Sequence, residues 1–187
     1  MNFIHCESNA YSLDSCDKLI RYFEDNISIS KPGTRGSSDI GLVKDLELTL
    51  ELNKQNTFWG LLSSINKGIQ SYKDLYPLID SDIDQWGLNP SCQLMKYNPN
   101  NYYDKIHCES DTYHHPIVER CFAWMLYLND IKEGGGTEFI YQKITAKPRA
   151  GDLYIWPAYW THMHRGVNAP NEYKYILTGW FSYRNIL

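Results

Sequence analysis

The sequence lacks the features of nucleic-acid-binding and membrane proteins. It contains no block of lysine or arginine, and its formal net charge is -4, so it shows no electrostatic footprint for nucleic acid. No apolar run approaches the roughly 18 to 20 residues that span a bilayer, and the first residues lack the basic and apolar regions of a signal peptide. We therefore expect a soluble, cytoplasmic protein that binds neither nucleic acid nor membranes.

Paired cysteine motifs are also missing. The 5 cysteines are odd in number and form no C-x-x-C pair, which argues against a disulfide framework and a structural zinc site. We expect reduced, partly buried thiols at Cys6, Cys16, Cys92, Cys108 and Cys121.

The length of the chain fits one domain. At 187 residues it can bury a substantial core but is short for two domains. No interdomain linker or low-complexity tract interrupts it. We expect a single domain over residues 1–187, with helical support over about 1–90 and a β-rich core over about 91–187.

The first half predicts helices. Apolar residues recur at helical spacing over residues 13–23 and again from about 57 to 78, where the longest helix is expected. Residues 31–40 collect proline, glycine and small polar residues, which predicts a loop. Residues 43–50 fit a helix or a strand equally well.

The second half predicts strands separated by turns. The residues 121–128 form an apolar run of strand length, typical of a strand buried on both faces. Further short strands are expected at 93–97, 137–140, 153–156, 162–167 and 173–183. Helices that precede a run of short strands favour an α+β domain with a two-sheet, jelly-roll core.

The tetrapeptide His-Cys-Glu-Ser occurs twice, at residues 5–8 and 107–110. Alternate side chains of a strand share a face, so His107 and Glu109 project together, and a histidine from another strand can complete a metal site. Two imidazoles and one carboxylate bind iron(II) and leave coordination positions open. The first copy lies at the N-terminus, where chains are often poorly ordered, and no second histidine follows before His107. We interpret it as a chance match.

The motifs from residue 93 onward together resemble the 2-oxoglutarate- and iron(II)-dependent oxygenases, in particular the prolyl 4-hydroxylase-like branch. That family carries, in order, a strand tyrosine, His-x-Asp, Tyr-Leu-Asn, Gly-Gly-x-Thr-x-Phe, Pro-x-x-Gly-Asp, a distal histidine and a later Lys or Arg. The similarity covers roughly residues 93–183, and the matching pieces are Tyr97, His107–Glu109, Tyr127–Asp130, Gly134–Phe139, Pro148–Asp152, His164 and Lys174.

The resemblance implies that His107, Glu109 and His164 are the catalytic iron ligands. The chain departs from the family in having Glu109 where aspartate is usual, so one extra methylene must be accommodated. His162 is the alternative distal ligand, since it would share a strand face with His164. His164 is favoured because His-Arg-Gly resembles the family's His-x-Gly and Lys174 follows ten residues later.

The resemblance also implies a 2-oxoglutarate site around Lys174. This lysine lies between two tyrosines at the start of an apolar strand, and a buried ammonium needs an anionic partner, which the distal carboxylate of 2-oxoglutarate would supply. Tyr127 and Thr178 would donate hydroxyl hydrogen bonds to that carboxylate, and Tyr97 would reach the co-substrate. Candidate residues at the substrate mouth are Tyr103, Arg165 and Trp160.

The implied function is hydroxylation of an unactivated C–H bond by iron(II), 2-oxoglutarate and dioxygen, with ascorbate as a candidate reductant. Peptidyl proline is the substrate that the branch favours, and it implies a peptide or protein partner. The alternatives are a free amino acid or other small molecule, another protein side chain, or a non-catalytic jelly-roll module that binds metal or peptide. A cupin-like metal enzyme without 2-oxoglutarate is a further rival, but it has no evident use for a buried cation at Lys174. The oligomeric state is not predicted.

Overall fold

The computed structural model describes residues 1–32, 45–52, 60–81 and 85–183. The helices in these residues are α1 (Leu13–Asp25) and α2 (Leu61–Leu75). The strands are β1 (His5–Glu7), β2 (Lys31–Pro32), β3 (Asp45–Glu51), β4 (Gly87–Tyr97), β5 (Arg120–Tyr127), β6 (Thr137–Phe139), β7 (Ile144–Ala146), β8 (Leu153–Pro157), β9 (His164–Gly166) and β10 (Lys174–Ser182).

Both predicted helices form, and local chemistry explains their ends. The hydroxyl of Ser12 accepts a hydrogen bond from the Ser15 N–H and caps the start of α1. Helix α2 ends at Leu75, ahead of Pro77, because a proline disfavours helical geometry in the residue before it. The predicted start near residue 57 lies outside the described residues. Among the residues described, no helix is long and apolar enough to cross a membrane.

The strands form two antiparallel sheets that face each other. The larger sheet has the order β1-β8-β5-β10-β4-β3-β2, and the smaller has the order β7-β6-β9. This arrangement confirms the predicted α+β fold with a jelly-roll core. The C-terminal strand β10 lies between β5 and β4 at the centre of the large sheet, so its side chains are well placed to reach the space between the sheets.

Alternation along the central strands creates two apolar cores. On β5, Trp124 and Leu126 belong to the core that also contains helix residues such as Phe23 and Ile65. Their neighbours Met125 and Tyr127 belong to a second core between the two sheets. The apolar run at 121–128 is therefore buried on both faces, as predicted, and the second core surrounds the candidate active site.

The structure corrects several sequence-based boundaries. The first His-Cys-Glu-Ser copy lies on strand β1, which was not predicted and which pairs with β8. Strand β4 begins at Gly87, well before the predicted start, and passes through Pro90 where its pairing with β10 is irregular. Such an irregularity lets a strand tolerate a residue that has no N–H to donate.

The ambiguous stretch near residue 45 forms a strand. Residues 45–51 form β3 and pair with β4, whereas residues 43 and 44 lie outside the described residues. Lys31 and Pro32, at the start of the predicted loop, pair with β3 as the short strand β2. The rest of that predicted loop, from residue 33, also falls outside the described residues.

Candidate active site

A short backbone bridge brings two histidines side by side. The N–H of His107 donates to the carbonyl of His164 at 3.0 Å, and the N–H of His164 donates to the carbonyl of His107 at 2.9 Å. Directly opposed residues of an antiparallel pair project to the same side. The two imidazole rings consequently lie with their centroids 4.3 Å apart, although 57 residues separate them in sequence (164 − 107).

Glu109 completes a three-residue cluster with these histidines. Its Oε1 lies 3.2 Å from Nε2 of His164 and 3.7 Å from Nε2 of His107. One ligand atom from each residue lies within 4.8 Å of the others. The backbone N–H of Glu109 donates to the Ala158 carbonyl at 2.9 Å, which holds the segment against the end of β8.

The donor atoms of this cluster fit iron(II). Nδ1 of His107 lies 2.9 Å from the Lys105 carbonyl, and Nδ1 of His164 lies 2.8 Å from the His162 carbonyl. A carbonyl only accepts, so each Nδ1 donates its proton to a carbonyl and each Nε2 faces Glu109. Without a metal, a protonated Nε2 donates to the carboxylate, and when a metal replaces that proton Nε2 presents its lone pair. Two neutral imidazole nitrogens and one carboxylate oxygen are a ligand set that iron(II) accepts while retaining open positions.

The three residues also stabilise one another electrostatically. Burial raises the pKa of Glu109, but hydrogen bonds with His107 and His164 outweigh it and hold that pKa well below its usual range. Burial lowers the pKa of His107, yet the same hydrogen bond to Glu109 gives a net increase. The carboxylate is therefore ionised at neutral pH, in the form that binds a metal.

Two residues that the sequence reasoning missed surround the carboxylate of Glu109. The indole Nε1 of Trp180, on β10, donates to Oε2 of Glu109 at 2.7 Å. The Arg120 guanidinium stacks on the Trp180 ring at 3.6 Å and donates from Nη1 to the Glu109 carbonyl at 3.2 Å. Neither belongs to a sequence motif quoted above, and only the pairing of β10 with β5 brings them together.

The cluster lies in a cavity of about 800 Å³ between the sheets. Its lining extends from exposed residues such as Asp111 and His114 to the buried Lys174. Alternate residues of β10 face it, which are Lys174, Ile176, Thr178 and Trp180. The cavity thus joins the surface, the metal ligands and one buried cation.

Lys174 is a buried ammonium without a neighbouring carboxylate among the described residues. It is 5% exposed, and burial lowers its pKa to about 8. No anion among the described residues counteracts this decrease. Its Nζ lies 5.4 Å from the Tyr97 ring centroid and 5.6 Å from that of Tyr127. At neutral pH it is still largely protonated, so the site fits the distal carboxylate of 2-oxoglutarate.

The other predicted co-substrate residues differ in what they can offer. Tyr97 lines the cavity beside Lys174. Thr178 also lines the cavity, but its hydroxyl donates to the Trp124 carbonyl at 3.0 Å. In this arrangement the hydroxyl cannot donate to the 2-oxoglutarate carboxylate, which was the predicted role. Tyr127 is fully buried, and its hydroxyl pairs at 3.0 Å with that of Thr137. Thr137, which was not predicted, lines the cavity.

The alternative ligand His162 points elsewhere. It lies in a 3-10 turn, Trp160–His162, and not on strand β9, so it does not share a strand face with His164 as predicted. Its Nε2 lies 2.9 Å from the Asn2 carbonyl, and its Nδ1 lies 3.0 Å from the Thr161 hydroxyl. Both ring nitrogens are occupied by contacts outside the metal cluster.

Of the predicted substrate residues, one borders the cavity. Tyr103 lines it, with its ring centroid 4.5 Å from that of His107. Arg165 alternates with His164 on β9, faces the other side and pairs with Glu138 at 2.7 Å. Trp160 is 69% exposed in the 3-10 turn and does not line this cavity. Arg165 and Trp160 are therefore not among the residues that line this cavity, and their substrate roles stay predictions.

A family model and the solved structures both match the chain. Residues 92–182 match the model described as the 2OG-Fe(II) oxygenase superfamily, where 2OG is 2-oxoglutarate. That range contains all three clustered residues and Lys174. No curated protein sequence matches the chain.

Three solved structures share the fold over nearly the whole chain. A viral collagen prolyl hydroxylase from Paramecium bursaria Chlorella virus 1, solved as a 2OG complex, has 18% identity and a TM-score of 0.68, with 96% of this chain and 95% of that chain covered. A Pseudomonas putida prolyl-4-hydroxylase has 16% identity and a TM-score of 0.70, with coverages of 98% and 94%. A Trichoplax adhaerens prolyl hydroxylase, in complex with a hypoxia inducible factor peptide fragment, has 12% identity and a TM-score of 0.73, with coverages of 97% and 84%.

Proposed function

We propose that the protein, whose residues 92–182 match the family model of the 2OG-Fe(II) oxygenase superfamily, hydroxylates prolyl residues in a peptide or protein substrate. The observation that carries the oxygenase chemistry is one cavity that holds the His107, Glu109 and His164 cluster together with Lys174, a buried cation with no carboxylate partner among the described residues. A metal site alone would not need that cation.

The residues have separate tasks in this reaction. His107, Glu109 and His164 would hold iron(II), and Lys174 would pair with the distal carboxylate of 2-oxoglutarate. With these groups and dioxygen bound, the chemistry supplied is decarboxylation of 2-oxoglutarate to succinate coupled to hydroxylation of a C–H bond. The protein binds and orients the substrate, and the apolar walls formed by Met95, Met125, Trp156 and Ile176 exclude water from the reacting centre.

The choice of a prolyl peptide rests on the shape of the site and on its structural relatives. The cavity reaches the surface at Lys105, Asp111 and His114, so a residue of an extended chain can enter it. Tyr103 and Trp180 line it, and aromatic side chains suit the apolar ring of proline. The three solved structures named above are prolyl hydroxylases, and one of them is in complex with a peptide.

The test is incubation of the iron(II)-loaded protein with 2-oxoglutarate, dioxygen and a set of proline-rich peptides. We expect succinate formation together with a mass gain of one oxygen atom on prolyl residues. Matched peptides with each proline replaced by alanine should gain no oxygen, and His107→Ala should yield neither product.

Other outcomes separate the alternative functions. Hydroxylation of free proline but not of the peptides would contradict a peptide substrate. Succinate without any oxygenated prolyl residue would contradict prolyl specificity while leaving the oxygenase chemistry in place. Metal binding without succinate under any condition would favour a non-catalytic binding module.

A further inference from the structure

The two oxygens of the Glu109 carboxylate have different neighbours. Oε1 faces the imidazoles, at 3.2 Å from His164 Nε2 and 3.7 Å from His107 Nε2. Oε2 accepts the 2.7 Å hydrogen bond from Trp180 Nε1 and lies 3.7 Å from Nη1 of Arg120. One oxygen is thus directed to the ligand cluster, and the other is already bound by the protein.

Arg120 holds both partners of that hydrogen bond. Its guanidinium lies 3.6 Å from the Trp180 ring centroid, and its Nη1 donates to the Glu109 backbone carbonyl at 3.2 Å. A planar guanidinium can stack on an aromatic ring while its N–H groups donate in the plane, which an ammonium cannot do. The ring orientation of Trp180 and the backbone position of Glu109 are therefore coupled through one side chain.

We infer that Trp180 and Arg120 are positioning residues that hold the glutamate so that Oε1 alone faces the metal. A glutamate has one more rotatable bond than the aspartate usual at this position in the resembled family, so its carboxylate has more orientations to lose on binding. The hydrogen bond to Oε2 removes that freedom before the metal arrives, and it disfavours ligation by both oxygens. This role concerns metal binding and does not depend on the prolyl substrate proposed above.

The test is an anaerobic titration with cobalt(II), a visible-light probe that accepts the same nitrogen and oxygen ligands. Trp180→Phe keeps the aromatic ring and deletes the N–H, and we expect it to weaken cobalt(II) binding about 10-fold or more and to change the visible spectrum. Arg120→Lys should weaken binding in the same direction. In a Glu109→Asp background, the shorter carboxylate cannot contact both the metal and the Trp180 indole. Trp180→Phe should therefore cause no further loss of cobalt(II) affinity in that background.

Trp124→Phe is the matched control. Trp124 is also fully buried, but it packs on the helix side of β5, and its Nε1 has no hydrogen-bond partner among the described residues. It should keep wild-type affinity and spectrum. Equal affinity in wild type and Trp180→Phe, or equal losses in Trp180→Phe and Trp124→Phe, would overturn the inference. If Glu109→Asp binds no cobalt(II), the comparison of Trp180→Phe with Trp124→Phe tests the inference by itself. A wild-type protein that binds no cobalt(II) would contradict the metal cluster itself.

Discussion

At the scale of single residues, Lys174 has the surroundings least suited to its charge. Burial lowers its pKa from 10.5 to about 8, which means that the fold disfavours the ammonium in the absence of an anion. Between these two values the unfolded chain binds a proton that the folded chain has released. The contribution of Lys174 to stability therefore rises with pH through this window.

Lys174→Met should remove this penalty. Below pH 8 the substitution is expected to raise the free energy of unfolding by roughly 3 kcal/mol, the equivalent of the pKa shift. The advantage over wild type should shrink as the pH rises from about 8 to about 10.5. Urea unfolding of both proteins at several pH values measures it. A difference that does not change with pH would contradict a charged, buried Lys174.

The two C-terminal histidines should respond differently to substitution. His164→Ala removes a nitrogen that faces Glu109, so cobalt(II) or iron(II) binding should be lost. His162→Ala removes a ring bound to the Asn2 carbonyl, so metal binding should survive although the thermal midpoint falls. Metal titration and thermal unfolding of both variants check this. Loss of metal binding in His162→Ala alone would reverse the ligand assignment.

At the scale of elements, the turn before β6 depends on its glycines. Gly134 has a φ of +70°, and an added Cβ would lie 1.8 Å from the Asn168 carbonyl oxygen. Gly60, before α2, has a similar φ of +83°, but an added Cβ would have no atom of the described residues within 4 Å. A substitution at Gly60 therefore tests backbone strain alone, whereas one at Gly134 tests backbone strain together with a steric collision.

Gly134→Ala should destabilise the fold more than Gly60→Ala. Both substitutions place alanine in the left-handed region, which costs about 1 to 2 kcal/mol, and only Gly134→Ala adds a collision with backbone, expected at about 1 to 3 kcal/mol more. The free energy of urea unfolding measures the difference. Equal effects would show that the turn can shift to accept a side chain.

The elements differ in how visible they were from sequence. The apolar run of β5 and the helical spacing of α1 identified these elements because burial of a whole face leaves a clear period. The strands β1 and β7 span only three residues each, too few to show any period. The start of β9 at His164 was placed two residues too early because the preceding turn has the same aromatic and polar composition as a strand.

At the scale of the whole molecule, the candidate site was only partly visible from sequence. His107, Glu109, His164 and Lys174 occur in an ordered series of motifs, so a family resemblance could identify them. The contacts of Trp180 and Arg120 with Glu109 depend on how β10 pairs with β5, which no local pattern encodes. The hydroxyl partners of Thr178 and Tyr127 likewise became known only from the packed core. The cytoplasmic location stays a prediction.

The central claim is that one cavity binds iron(II) at its three ligands and 2-oxoglutarate at Lys174. Its most direct test is a titration of 2-oxoglutarate into the anaerobic iron(II) protein, followed by the visible charge-transfer band that chelation should give. Lys174→Ala leaves the distal carboxylate buried and unpaired, a loss of roughly 3 to 5 kcal/mol, so affinity should fall on the order of 100-fold or more while iron binding persists. Equal 2-oxoglutarate affinity in wild type and Lys174→Ala would contradict the account.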